Sequence, residues 1–289
     1  MAGFTAQVDE VLRVIGRLAV IAGASLLTLL LFGIALKPLL PDGLPMGREG
    51  RMIFLILLAS ALAVGQLVAG TLLERGRWEP TGLGSLAWKP IALLGGAALG
   101  VLAMAAPTVL LIVTNVSRVV PVPGAHWSSF ASETLLVVAL IALVQELGFR
   151  GYAIGLIAER WGDAAAIVLT SLAAVLIALR DPPGSVVSFV GVAMLATCLG
   201  AIRLRTGSVV ASWLAHLAFG WTQVGIFHAP QAGTVLSPPP MYALEAGAPI
   251  WLTGGASGPG AGAAVAASLA VVTFLVLRAR PANVSRARD

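Results

Sequence analysis

The sequence has few charged residues. Only 11% of its 289 residues are Asp, Glu, Lys or Arg, whereas 58% are hydrophobic and the mean hydropathy is +0.95. Soluble domains carry roughly 25% charged residues, so this composition excludes an ordinary soluble domain and indicates an integral membrane protein. The apolar runs are continuous and do not alternate with polar residues, which argues against a β-barrel.

Cysteine and histidine are also scarce. Cys198 is the only cysteine, which excludes an intramolecular disulfide or a cysteine metal cluster and predicts a small packing residue in an apolar run. The histidines are His126, His216 and His228, and two of them fall in predicted loops. The sequence contains no H-E-x-x-H pattern, so three zinc ligands would have to come from distant segments. We therefore expect no bound metal, and no motif calls for a cofactor.

Positive charge exceeds negative charge, with 18 Lys and Arg against 13 Asp and Glu and a pI near 10.3. The basic residues are scattered among loops and chain ends and form no patch, so they indicate membrane topology and not a nucleic-acid partner. No period of 20–50 residues repeats, and we interpret residues 1–289 as a single membrane domain.

Eight apolar runs could cross a hydrocarbon layer of about 30 Å as helices. They cover residues 18–36, 52–73, 91–113, 134–158, 164–179, 185–202, 208–227 and 261–277. The predicted fold is therefore all-α, a polytopic membrane bundle of about eight transmembrane helices. Glycines such as those of "GGAALG", residues 95–100, are expected where helices approach closely. Asp9 and Glu10 precede the first run, so we expect no cleaved signal peptide.

The distribution of basic residues predicts that both chain ends are cytoplasmic. With eight crossings, twelve basic residues share the side of the termini: Arg13, Arg17, Arg75, Arg77, Lys89, Arg160, Arg203, Arg205, Arg278, Arg280, Arg286 and Arg288. Five lie on the opposite side: Lys37, Arg48, Arg51, Arg118 and Arg180. Because cytoplasmic loops carry the excess of Lys and Arg, the richer side is interpreted as the cytoplasm, and the cell membrane as the location.

Three connections are long enough to be noted. Residues 114–134 and 228–260 face away from the cytoplasm by this count, and their proline and glycine content argues against regular structure. Trp127 and Trp251 in these connections could lie at the membrane interface. The stretch "LLERGRWEPTGLG", residues 72–84, is interpreted as a solvated loop at the membrane edge.

One predicted helix contains an acidic and a basic side chain in adjoining turns. Glu146 and Arg150 are four residues apart, so they lie on one face and can form an ion pair. An ionisable residue in a membrane helix costs about 2.5–3.5 kcal/mol on insertion scales, which marks such residues as candidates for function. The alternative is a structural pair that only joins helices or lies near the headgroups.

A second polar feature is "ASWLAHLAFGWTQ", residues 211–223, in the seventh predicted helix. Its spacing puts Trp213, His216, Gly220 and Gln223 on one face. The imidazole could therefore meet Glu146 in the interior of the bundle. The alternative is a hydrogen-bonded packing histidine.

These residues resemble a known family. The stretch "QELGFRGYAIGLIAERWG" resembles the first signature of the CPBP membrane family (CAAX proteases and bacteriocin-processing proteins, also called ABI), whose pattern is Glu-Glu-x-x-x-Arg followed by Gly. "LLERGRWEPTGLG", "RLRTGSVVASWLAHLAFG" and "LTGGASGPGAG" are similar to further regions of the family in the same order. The signature region covers about residues 134–277.

The resemblance implies an eight-helix bundle with a membrane-embedded endopeptidase site for prenylated or membrane-associated peptides. In the family a glutamate and a histidine activate water, while a second histidine and an asparagine support the oxyanion. Three positions of this chain depart from that pattern: Gln145 replaces the first glutamate, Ala178 the first histidine and Gly220 the asparagine. A carboxamide cannot accept a proton from water at neutral pH.

The predicted site residues are therefore Glu146, Arg150 and His216, with Gln145 in the place of the missing base. We expect a CAAX-protease-like membrane protein with weak or lost proteolytic activity, whose partners are the bilayer and a membrane-associated peptide or protein. The alternative is a non-catalytic scaffold, or an immunity-type protein that binds a peptide without cutting it. A small transporter is a weaker alternative, since no inverted repeat occurs.

Overall fold

The computed structural model describes residues 2–40, 43–45, 47–122, 127–179, 186–231 and 241–279. Six helical segments in this part of the chain are long and apolar enough to cross a membrane: Gln7–Leu36, Glu49–Leu73, Pro90–Val113, Thr134–Ala178, Val186–Thr206 and Val209–Ile226. A shorter apolar helix covers Ala263–Arg278. The prediction of an all-α, polytopic membrane bundle is confirmed at this level.

The α-helices are α1 (Ala2–Leu36), α2 (Arg48–Val68), α3 (Pro90–Val113), α4 (Trp127–Gln145), α5 (Tyr152–Ala178), α6 (Val186–Thr206), α7 (Val209–Trp221), α8 (Ile250–Thr253) and α9 (Ala263–Arg278). Short π-helical turns follow α2, α4 and α7 at Ala69–Leu73, Glu146–Arg150 and Thr222–Ile226. The remaining turns are 3₁₀ at Ser85–Trp88, Gly255–Ser257 and Pro259–Ala261. The strands are β1 (Ser117–Pro121) and β2 (Tyr242–Ala246).

Helix α5 is broken at Gly162, whose backbone has φ 85° and ψ 167°. A Cβ atom at Gly200 of α6 would lie 3.4 Å from Ile154 Cδ1 and 3.5 Å from Ile167 Cγ1. In a straight helix these two isoleucines would be about 20 Å apart along the axis. The chain therefore folds back at Gly162, within the gap between the fourth and fifth predicted runs.

The core lies where α3, α6, α7 and α9 meet. Met104, Leu199, Phe219 and Leu269 are among its buried side chains. Helices α3 and α7 approach closely because α3 presents glycine: a Cβ atom at Gly96 would clash with the carbonyl oxygen of Ala211, and Gly100 meets Ala215 in the same way. The predicted role of "GGAALG" in close helix packing is confirmed.

The connections 114–134 and 228–260 were predicted to lack regular structure, and for part of each this is wrong. Strands β1 and β2 pair antiparallel, with Val119 opposite Leu244. The prediction rested on proline and glycine content, whereas the paired segments contain several residues that favour strands. A strand also needs a partner for its backbone groups, and each segment provides it for the other. Trp251 is exposed, and the side chain of Trp127 lies outside the described residues.

The prediction of a solvated loop at residues 72–84 is wrong for part of this stretch, although Arg75, Arg77 and Glu79 are exposed. Glu74, Thr81 and Gly82 are buried, and the carbonyl oxygen of Pro80 packs so closely on Gly155 that a Cβ atom there would clash. The loop enters the end of the bundle because its carbonyl groups find donors there, which composition alone does not reveal.

Gly96→Ala and Gly95→Ala form a matched pair that tests the contact between α3 and α7. We expect Gly96→Ala to lower the free energy of unfolding by about 1–3 kcal/mol, since the methyl group overpacks the interface. Gly95 has no atom within 4 Å of a Cβ atom at its position, so Gly95→Ala should be neutral or stabilising by up to about 1 kcal/mol. Thermal unfolding of the purified protein measures both, and equal stabilities would contradict the packing described.

Candidate functional site

The site is built on a π-helical turn, Glu146–Arg150, that joins α4 to α5. In such a turn the backbone hydrogen bonds run from residue i to i+5, which widens the helix and changes where the side chains point; π-turns are frequent at functional sites. The turn ends at Gly151, which has φ −70° and ψ −125° and so leaves the helical conformation. Both Glu146 and Arg150 are buried.

Every oxygen of the Glu146 carboxylate has a partner. Oε1 lies 2.9 Å from Nδ1 of His216 and 3.6 Å from Nη1 of Arg150, while Oε2 accepts a hydrogen bond of 2.5 Å from Oγ of Ser212. The side chain of Glu146 is 0% exposed. Because an ionised carboxylate only accepts hydrogen bonds, its contact with His216 assigns the ring proton to Nδ1.

Helix α7 brings Ser212 and His216 to this carboxylate. They are four residues apart and so share one face of the helix. Ser208 caps α7: its Oγ accepts a hydrogen bond of 2.9 Å from the Ala211 amide and donates to the Ala87 carbonyl at 2.8 Å. Arg150 in turn donates from Nη2 to the carbonyl of Ala196 on α6, at 3.1 Å. The cluster therefore joins the π-turn to α6 and α7.

Three of the four predicted site residues meet in the interior: Glu146, Arg150 and His216. The fourth, Gln145, has an exposed side chain, as expected for a residue about 100° around the helix from Glu146. Gly220 is buried, and a Cβ atom there would lie 2.9 Å from Val138 Cγ1. Whether any of these residues takes part in catalysis stays a prediction.

Sequence reasoning missed Ser212 and misread Arg203. Ser212 precedes His216 by one helical turn, and that spacing could have indicated it. Arg203 was assigned to a cytoplasmic loop as a topology signal, but its side chain is buried and donates from Nε to the Arg150 carbonyl at 2.9 Å and from Nη2 to the Pro80 carbonyl at 3.0 Å. The spacing of residues cannot show that an arginine at a helix end folds inward.

A second buried carboxylate, that of Glu74, contacts the start of α5 just after the Glu146–Arg150 turn. Its Oε1 accepts hydrogen bonds from Tyr152 Oη at 2.6 Å and from Arg17 Nη1 at 2.7 Å, and Arg77 binds Oε2. The hydrogen bond to Glu74 raises the pKa of Arg77. Tyr152 directly follows Gly151, so this cluster ties α1 and the end of α2 to the start of α5.

The ionisable groups do not suggest a metal site. Within the described ranges, no group of three or more His, Cys, Asp or Glu side chains could hold a metal ion. Cys198 is buried and lines a small apolar cavity together with Leu199 and Ala215. That cavity lies between the helices of the core and includes none of the side chains that surround Glu146.

The arrangement favours orientation of His216 over activation of water by Glu146. A general base has to come within hydrogen-bond reach of the proton that it removes, and the Glu146 carboxylate is enclosed by Arg150, Ser212 and His216. His216 retains a small exposed fraction, 7% of its side chain. With Nδ1 fixed by the carboxylate, Nε2 is the ring nitrogen that could bind a ligand.

A protein-family model described as "Rce1-like: Type II CAAX prenyl endopeptidase Rce1-like" matches residues 125–222. The match covers the site from the π-turn to His216, and it confirms the resemblance to the CPBP, or CAAX-protease, family over this region. No curated protein and no solved structure matches the chain. Over residues 125–222 the chain is similar to the type II CAAX prenyl endopeptidases, and its long apolar helices indicate a multi-pass membrane protein.

Proposed function

We propose that the protein is a membrane-embedded relative of the CAAX endopeptidases whose activity on prenylated or membrane-associated peptides is weak or lost. The observation that carries the proposal is the enclosure of Glu146, whose two carboxylate oxygens are engaged by Arg150, His216 and Ser212. A carboxylate held in this way forms an ion pair with Arg150 and orients the imidazole of His216. It is poorly placed to take a proton from water.

The departures from the family pattern support the same conclusion. Water attack on an amide needs a base and a group that stabilises the oxyanion. Gln145 provides an amide where the family has its first glutamate, and Ala178 and Gly220 provide no polar side chain for the other two roles. His216 alone could still donate a hydrogen bond to a peptide carbonyl.

A second candidate function is peptide binding without cleavage, as in a scaffold or immunity-type protein. The different exposure of two contacting side chains favours it: that of His216 keeps 7% of its surface exposed, whereas that of Glu146 is fully covered. A ligand could therefore reach the imidazole and leave the carboxylate undisturbed. The ligand would be a membrane-associated peptide or a partner helix that offers a hydrogen-bond acceptor to the ring.

The test is a cleavage assay with a prenylated C-terminal peptide and full-length protein in lipid nanodiscs, beside an active prenyl endopeptidase. We expect little or no turnover by the wild-type protein. Glu146→Gln and His216→Ala should leave that background unchanged, and Arg118→Gln on β1 is the matched surface variant. Robust turnover that both site variants abolish would contradict the proposal and assign an active protease.

Photocrosslinking of the same peptide separates the two candidates. The scaffold function predicts capture by the wild-type protein and loss of capture in His216→Ala, with retention in Arg118→Gln. Absence of capture in all three proteins would exclude peptide binding at His216.

We also propose eight membrane crossings in the cell membrane, with both chain ends in the cytoplasm. The break at Gly162 supports this number, since it divides the 45-residue segment Thr134–Ala178 into two pieces that fold back on each other. A straight helix of that length would be about 68 Å long, more than twice the hydrocarbon thickness. The apolar helix Ala263–Arg278 supplies the last crossing.

Reporter fusions test this topology. A reporter that is active only in the cytoplasm should be active when fused before Ala2 or after Arg278, and inactive when fused within the connection between β1 and α4. Activity at only one of the two chain ends would indicate an odd number of crossings and contradict the proposal.

A further inference from the structure

Gln66 of α2 is a buried glutamine that binds the backbone of the site and not another side chain. Its Nε2 donates to the Leu147 carbonyl at 3.0 Å, and its Oε1 accepts from the Tyr152 amide at 2.8 Å. The residue is only 3% exposed. One side-chain amide thus contacts the π-turn near its start and the first residue of α5.

The two backbone groups that Gln66 binds belong together. Hydrogen bonds of a π-helix join residue i to i+5, so the next bond beyond the Glu146–Arg150 turn would link the Leu147 carbonyl to the Tyr152 amide. Gln66 stands between these two groups and gives each a partner. Gln66→Met would remove the partner that each group has in the structure, and a buried polar group left unsatisfied costs about 1–3 kcal/mol.

The neighbouring residues fit this insertion. A Cβ atom at Gly151 would lie 2.5 Å from Gln66 Oε1 and 2.7 Å from the Leu147 carbonyl oxygen, so only glycine leaves room for the amide. Arg203 Nε of α6 donates to the Arg150 carbonyl at 2.9 Å. Where the π-turn meets α5, side chains of α2 and α6 therefore bind backbone groups that would be paired within a continuous helix.

We propose that Gln66 is a positioning residue: by taking the place of the next π-type bond, it ends the turn after Arg150 and holds Glu146 and Arg150 toward Ser212 and His216. A turn with another hydrogen-bond pattern would change the angle between Glu146 and Arg150 around the helix axis and so move both side chains relative to Ser212 and His216 on α7. The proposal deepens the proposed function, because it names what holds that site. It depends on the contact between Glu146 and His216 and not on any turnover.

The test uses the nitrogen resonances of the His216 ring in full-length, ¹⁵N-histidine-labelled protein in nanodiscs, assigned by their absence in His216→Asn. Gln66→Met keeps the size of the side chain and removes both hydrogen bonds. We expect the His216 resonances to leave their wild-type positions in this variant. Thr108→Val is the matched control, since it removes another buried side-chain bond, from Thr108 to the Met104 carbonyl at 2.7 Å on α3, and should leave them unchanged.

Gln66→Asn serves as a second variant, because its amide is one methylene shorter and cannot span both backbone groups. It should displace the His216 resonances as well. Wild-type resonances in the folded fraction of either Gln66 variant would overturn the proposal, as would an equal displacement in Thr108→Val. Failure of both Gln66 variants to fold, while Thr108→Val folds, would make Gln66 a folding residue and also overturn it. Loss or gain of peptide cleavage bears only on the proposed function.

Discussion

An ionised carboxylate that leaves water has to find its partners inside the protein, and the arrangement around Glu146 follows from that constraint. The desolvation of such a group costs several kcal/mol, and a guanidinium with further hydrogen bonds is needed to offset it. Arg150 provides the charge, while Ser212 and His216 provide the hydrogen-bond donors. This one side chain therefore links the π-turn to α7.

The same constraint explains the irregular features near the site. A helix that changes its pitch leaves backbone groups without partners, and in an apolar bundle these cannot turn to water. Gln66 and Arg203 reach the joint from two other helices, and Arg203 also holds the carbonyl of Pro80 in the buried loop. A polar network of this kind orders the end of the bundle.

The sequence could predict the fold class and the central pair, but not the side chains that support them. Glu146 and Arg150 stand out because charges in an apolar run are costly and their spacing allows pairing. Gln66 also stands in an apolar run, yet its role depends on a backbone joint 81 residues away. Arg203 looked like a marker of the cytoplasmic side because many arginines at helix ends are exposed, and only tertiary packing shows that it is buried. The strand pair needed a partner segment more than 100 residues away.

The most direct test of the account is a double-mutant cycle between Glu146 and His216, which lie on different helices. It compares the unfolding free energies of wild type, Glu146→Gln, His216→Asn and the double variant in one detergent. Side chains in direct contact within one network usually show interaction energies of about 0.5–3 kcal/mol. We expect a value in that range; additivity within about 0.3 kcal/mol would mean that the carboxylate and the imidazole do not meet, and would contradict the site described here.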